Sequence, residues 1–432
     1  MAIVKIQNLA EYADQEATIK GWAYNKRSSG SIIFIQIRDG SGFAQAIMAK
    51  GSVGDDAWKE ADRLTAESTI EITGLVTRHP KKENVFEIQA EDIKIIHLAE
   101  EYPIAKKEHG PDFLMEHRHL WLRSSKQWAI LRLRDAIITA INQYLHELNF
   151  IKVDSPIFTP NACEGTTTLF SVPYFDLGTA YLSQTGQLYI EAAIASVGRC
   201  YDFGPTFRAE KSKTKRHLTE FWMMDAEAAF VEHEENMDIQ EGMVKFIVKY
   251  CLDKCKTELE MLERDTAPLK KLLELPFTRY SYSETIIKLN ELGSDIKYGE
   301  DLGNDDEGTL TKDSDVPIFI ERWPKAIKPF YMKRDPVDEN FVLNDDLIGI
   351  EGAGELIGGS QREDDYELLL QRIKDEGLNL DDYQWYLDLR RYGSVPHSGF
   401  GIGLERTVRW IANIEHIREC IPFARTISRL RP

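Results

Sequence analysis

Cysteine is scarce in this chain, long apolar runs are missing and basic residues are outnumbered by acids. The five cysteines, Cys163, Cys200, Cys251, Cys255 and Cys420, are odd in number and unclustered among 432 residues. That excludes a disulfide framework, and no set of cysteines and histidines has the spacing of a zinc site. Cys251 and Cys255 lie one helical turn apart and read as free core thiols. No window approaches the roughly 18 consecutive apolar residues of a membrane span, and the first residues lack a basic start leading into an apolar run. A cytoplasmic protein with no membrane partner is expected. The formal charge is −18 at pH 7, opposite to the footprint of a general nucleic-acid binder. The deficit is uneven, with −3 over residues 1–110 and −15 over the remaining 322.

Residues 17–98 read as short alternating strands, ATIKGWAYNKR, SIIFIQIRDG, GFAQAIMAK, STIEITGLVTRH and VFEIQAEDIKII, with one helical break, GDDAWKEADRL. Five such strands predict a small closed barrel of the oligonucleotide-binding type over residues 1–101. EEYPIAKKEHGPDF is polar, carries two prolines and has no period, so residues 102–125 read as a linker. From Lys126, QWAILRLRDAIITAINQYLHEL has apolar residues at helical spacing, and a second long amphipathic helix is expected over residues 234–262. Strands and helices then mix without a βαβ rhythm. Residues 126–432 are expected to form an α+β domain, an antiparallel sheet flanked by helices.

Against this acidic background, residues 208–217 hold five bases and one acid. The extended run CYDFGPTFR ends in an arginine on the face of its apolar neighbours, where unpaired charge is costly. LTEFWMMDAEAAF returns after the basic loop. Two strands with a cationic tip and inward-facing Arg208, Glu210 and Asp225 suit a polyphosphate with a polar substrate beside it. Phe221 is placed either to stack on a flat base or to be core.

GPTFRAE and RHLTEF resemble the second signature of the class II aminoacyl-tRNA synthetases, and GFGIGLERTVRWI resembles the third. FIKVDSPIF, with Pro156, is similar to the first, which in that class lies at a dimer interface. The likeness to the asparaginyl/aspartyl branch continues in order through DFLMEHRHLWLRS, EGTTTLF, YLSQTGQLYIEA, NDDLIGIEGAGELIGGSQRE, VPHSGFGIGLER and IPFARTISRLRP. It covers nearly the whole chain. It implies an N-terminal OB-fold that binds the anticodon, a class II catalytic domain and a homodimer. ATP and L-asparagine are the implied substrates, Mg²⁺ the cofactor, and tRNA the partner, with tRNA(Asn) expected first.

The resemblance also implies roles. Amino-acid activation is an in-line displacement at the α-phosphate, which needs positioning and positive charge more than covalent help. Arg208 would grip the α-phosphate and the amino-acid carboxylate, Arg406 the γ-phosphate end, and Glu355 with Asp346 the Mg²⁺. Glu210, Arg216, His217, Leu218 and Phe221 would form the nucleotide loop, and Gly403 would let backbone approach ATP. Glu164, Ser183 and Gln187 match positions that hold the substrate's α-amino group, and Asp225 and Arg362 match positions at its side chain. In the barrel, Phe34 matches a stacking aromatic, with Arg27 and Gln45 nearby; the alternative is Phe34 as barrel core.

Aspartyl relatives carry a lysine three residues after Gln187, where this chain has Ile190, and loss of a cation suits a neutral amide. Asp225 stands where asparagine relatives usually carry glutamate. It is also the residue type of aspartyl enzymes, so an aspartyl or non-discriminating enzyme is the alternative. Ala424 replaces a usual proline, a local backbone difference. An amidotransferring synthetase relative would have little use for an intact barrel. From another class comes a non-catalytic RNA-binding relic, against which the joint presence of Arg208, Glu355 and Arg406 argues.

Overall fold

The computed structural model describes residues 2–104, 107–163, 168–212 and 214–432. The chain divides into two compact units, Met1–Leu114 and Met115–Pro432. In the first, β1 (Ala2–Ile3), β2 (Glu16–Ser29), β3 (Ile32–Arg38), β4 (Phe43–Ala49), β5 (Thr69–Arg78) and β6 (Phe86–His97) form one sheet, with α1 (Asp55–Arg63) between β4 and β5. The order is β1-β2-β3-β4-β6-β5, and β5 also pairs with β2, which closes the barrel. Period-2 alternation decides what is inside. Ile33, Ile35 and Ile37 are fully buried against Ile19, Ile70 and Ile88, so the residues between them, Phe34 and Gln36, face outward. Arg38 donates to Glu67 through both Nη atoms at 2.6 Å, a bidentate pairing that makes two buried charges tolerable.

The stretch expected to be a linker contains two helices, α2 (Pro111–Glu116) and α3 (Arg118–Trp121). Pro111 opens α2, where its missing N–H is no loss. Arg118 is fully buried and donates to the carbonyls of Glu419, Ile421 and Pro422. Its polarity reads as solvation, but it is spent on capping the C-terminal backbone.

The second unit continues with α4 (Ser125–Glu147), β7 (Ile151–Lys152), β8 (Phe158–Thr159), β9 (Ser171–Pro173), β10 (Thr179–Leu182), α5 (Gln187–Val197), β11 (Arg199–Phe207), β12 (Glu220–Ala229), α6 (His233–Lys254), α7 (Lys256–Met261) and α8 (Ala267–Leu272). It ends with β13 (Thr278–Ser281), α9 (Tyr282–Glu291), α10 (Asn304–Thr311), β14 (Ile318–Glu321), β15 (Asn344–Gly349), β16 (Gly354–Gln361), α11 (Tyr366–Asp375), α12 (Leu380–Arg391), β17 (His397–Gly403) and α13 (Leu404–Ile411). The main sheet runs β13-β14-β15-β16-β17-β12-β11-β7 and is antiparallel except at its two ends. β8, β10 and β9 form a small second sheet. The apolar stripes of α4 (Leu133, Ile137, Ile141) and α6 (Met243, Ile247) share one core with Met224, Leu347 and Phe400 of the main sheet. The helix expected over 234–262 is interrupted at Cys255, whose φ of −115° and ψ of 34° leave the helical region. All five cysteines are free and buried. No helix among the described residues is long and apolar enough to cross a membrane.

Candidate active site

β11 and β12 form a hairpin in which Arg208 follows the last residue of one strand and Asp225 lies in the middle of the other. β15 and β16 form a second antiparallel pair, carrying Asp346 and Glu355. Between the two pairs lies a cleft of about 400 Å³ lined by Gln187, Arg208, Asp225, Asp346, Glu355 and Arg362, with Asp301, Glu307, Lys328 and Tyr331 beside them. Six of the residues singled out in the sequence therefore meet in one place, from α5, β12, β15, β16 and the segments that follow β11 and β16.

The cationic end is built from the hairpin. Arg208 lies over the Phe221 ring, 5.5 Å from its centroid, so Phe221 supports a guanidinium. His217 stands among the basic residues: burial, then Arg406, push its imidazole down, with Arg208 and Arg216 adding to this and Glu210 opposing. Arg406 is not in the cleft lining but donates through Nη1 to the Glu355 carbonyl at 2.8 Å and to Glu355 Oε2 at 3.2 Å. Gly403 ends β17 and caps α13, and Leu218 is buried. Glu210 lines a separate hollow with Phe170, Phe207 and Leu430. Ser183 is buried, donates to the Thr185 carbonyl at 2.7 Å and does not line the cleft. Glu164 lies outside the described residues.

Asp346 and Glu355 converge above Gly358, where an added Cβ would lie 3.1 Å from Glu355 Oε1 and 3.8 Å from Asp346 Oδ1. Lys328 donates to Asp346 Oδ2 at 2.6 Å. Burial pushes the Asp346 carboxyl up to about 7, with Lys328 pulling it down and Glu355 pushing it up. Glu355 is held below the usual range because Arg406, Lys328 and Arg208 together outweigh its burial. Two converging carboxylates over a bare glycine fit a hard divalent cation, which prefers oxygen donors.

At the other end, Arg362 is not paired with Asp225. Its Nε donates to Glu227 Oε1 at 3.1 Å and its Nη2 to Glu227 Oε2 at 2.9 Å, while Nη1 donates to Ser360 at 2.6 Å. Glu227 in turn lies near Glu191, a carboxylate held well below the usual range because Arg390 and His397 outweigh its burial. Tyr386 and Arg390 donate to Glu191 Oε2 at 2.7 and 2.8 Å, and Gln187 donates to Oε1 at 3.1 Å. Asp225 accepts from the Thr185 hydroxyl at 2.7 Å and the Gly186 amide at 2.9 Å. Opposite it across the ladder is Asp202, whose carboxyl burial and then the Asp225 charge push up to about 7. Ile190 is sealed in an apolar cluster with Ile194 and Cys200 and does not line the cleft. The absence of a cation there is therefore not what sets the charge of this end; Asp225, Glu227 and Arg362 do.

With this geometry in view, residues 110–427 match the tRNA synthetases class II (D, K and N), and residues 17–96 match an OB-fold nucleic acid binding domain. The chain belongs to the class II tRNA synthetases. It is 51% identical over 433 residues to the asparagine–tRNA ligase of Roseiflexus sp. (strain RS-1), covering 99% of this chain and 98% of that one. It is 50% identical over 432 residues to the asparagine–tRNA ligase of Pelotomaculum thermopropionicum, covering both chains fully. The asparaginyl-tRNA synthetase of Pyrococcus horikoshii complexed with asparaginyl-adenylate is 43% identical with a TM-score of 0.95, over 99% of each chain. As in its family, the chain pairs an OB-fold with an aminoacyl-tRNA ligase domain that takes ATP as a substrate.

On the synthetase's barrel, β2, β3 and β4 bring Arg27, Phe34 and Gln45 to one outer face. Arg27 lies over the Phe34 ring at 4.5 Å, and Gln45 donates to Glu87 at 2.7 Å. They line a hollow of about 390 Å³ together with Asn25, Gln36 and His79. Phe34 is thus outside the barrel core.

Proposed function

We propose that this synthetase joins L-asparagine to tRNA(Asn), as a homodimer in the cytoplasm. Asparagine and ATP react in the cleft to give asparaginyl adenylate and pyrophosphate, and the acyl group then passes to a hydroxyl of the tRNA's terminal ribose with release of AMP. Arg208 bridges the amino-acid carboxylate and the α-phosphate, and Arg406 takes the terminal phosphate end. Asp346 and Glu355 would hold Mg²⁺, which neutralises phosphate charge when bound.

The single observation that carries the choice of amino acid is the state of Arg362. Its charge is already matched by Glu227, and Asp225 adds a further negative group to the same end. A side-chain amide can donate to Asp225 and accept from a guanidinium N–H. A carboxylate brought there would meet Asp225 without a spare cation, and one of the two would have to take up a proton. The names of the full-length relatives support the same choice. Pyrophosphate exchange with asparagine and aspartate tested separately decides it. Exchange with asparagine and at least about a hundredfold less with aspartate is expected, the scale of rejecting an unpaired buried charge. Comparable exchange with both would make the enzyme non-discriminating, and exchange with neither while RNA still binds would leave a binding module.

The barrel hollow would receive an anticodon base, with Phe34 as its stacking platform. Phe34→Ala is expected to weaken tRNA charging by the roughly 1–3 kcal/mol of one stacked base and to leave asparagine-dependent exchange intact. Equal loss in both assays would turn Phe34 into a structural residue.

A further inference from the structure

Arg216 sits on the basic loop between β11 and β12, whose described residues form no helix or strand. Its side chain is nevertheless only 15% exposed. Its Nη1 donates to two residues of α10, Glu307 Oε2 at 2.7 Å and Asn304 Oδ1 at 3.0 Å. Among the described residues, the side-chain hydrogen bonds of Arg216 all use Nη1, which leaves Nη2 and Nε for a ligand. The neighbouring strand is cleared for this pair. A Cβ at Gly354, which has a φ of +80°, would lie 2.5 Å from Arg216 Nη1 and 2.9 Å from Glu307 Oε2. Glu307 also lines the cleft with Arg208 and Glu355, so its carboxylate adds to the negative charge around Glu355 in a cleft that must take polyphosphate. Its pairing with Arg216 fixes a guanidinium that would otherwise lose several rotors on binding.

We propose that Glu307 is a positioning residue that holds Arg216 toward the nucleotide, so that α10 rather than the loop sets the reach of this arginine. The proposal rests on the ATP-dependent reading above. The test measures the Kd of a non-hydrolysable ATP analogue by calorimetry, together with KM for ATP and for asparagine and kcat in exchange. The variants are Glu307→Ala, Glu307→Asp, Arg216→Ala and the Arg216→Ala/Glu307→Ala double. Glu307→Ala is expected to raise the analogue Kd and the KM for ATP by about tenfold, the loss of one charge-assisted anchor, with KM for asparagine unchanged. Glu307→Asp, which keeps the charge, should recover part of this. The double variant should bind no more weakly than Arg216→Ala alone, because both changes remove the same interaction. Three results would overturn the proposal: Glu307→Ala binding the analogue as well as or better than the parent, equal rises in KM for both substrates, or additive effects in the double variant. A parent protein that fails to bind the analogue would overturn the proposed function together with it.

Discussion

Arg208→Ala and Arg406→Ala are each expected to cut asparagine-dependent pyrophosphate exchange by about 10²–10³-fold, the scale of losing one preorganised group aimed at developing charge, while melting close to the parent temperature. The two arginines come from different parts of the fold, one just after β11 and one on α13, and both hold the Glu355 carboxyl down. Neither is a core residue. Arg208 lines the cleft over Phe221, and the Arg406 side chain is 28% exposed, so truncation removes charge without opening a cavity. Removing Arg406 also leaves Glu355 with less positive charge around it, so its carboxyl should move up and compound the loss. Exchange activity measured beside a thermal melt checks this. A folded Arg406→Ala protein with near-normal exchange would remove Arg406 from the nucleotide site.

The hollow-lining residues that lie on a strand or beside a loop are legible in the sequence, because alternation and charge contrast mark them. Arg208 at the end of an apolar run, Asp225 in the returning strand, and Phe34 between buried isoleucines each break a local pattern, and each faces a hollow. Glu227 was equally accessible in principle: it is two residues from Asp225 on one strand, hence on the same face. Glu191 stands one helical turn after Gln187 and Arg390 one turn after Tyr386, spacings that place each pair together. Nothing local marks Lys328, Glu307 or Asp301, which come from the segments around α10 and β14 and join the cleft only through the fold. The same holds for Arg118, read as part of a polar linker, whose guanidinium is used on carbonyls some 300 positions away in sequence. Ile190 shows the converse. A sequence position aligned with a charged residue in relatives need not face the substrate, and here helix phase turns it into the core.

Glu227→Ala is expected to be strongly destabilising, by roughly 3–5 kcal/mol, the cost of removing one partner from a buried ion pair. Glu227 is fully buried and takes two donors from Arg362. Without it the guanidinium keeps Ser360 and a distant contact to Glu191 at 4.0 Å, and its charge stays on a side chain only 4% exposed. Burial pushes the Glu227 carboxyl up and Arg362 pulls it down, so the pair holds its charge only as a pair. Glu227→Gln separates stability from specificity. The amide keeps the shape and one acceptor for Arg362, so the melt should fall less, but the site becomes more positive by one charge. An incoming carboxylate would then meet an arginine that is no longer matched. The preference for asparagine over aspartate should therefore narrow by at least about tenfold, or about 1.4 kcal/mol, as read from competition between the two amino acids in exchange. Glu227→Ala melting with the parent would mean that Arg362 does not depend on this partner. Glu227→Gln discriminating as sharply as the parent would show that Asp225, and not the pairing of Arg362, keeps aspartate out.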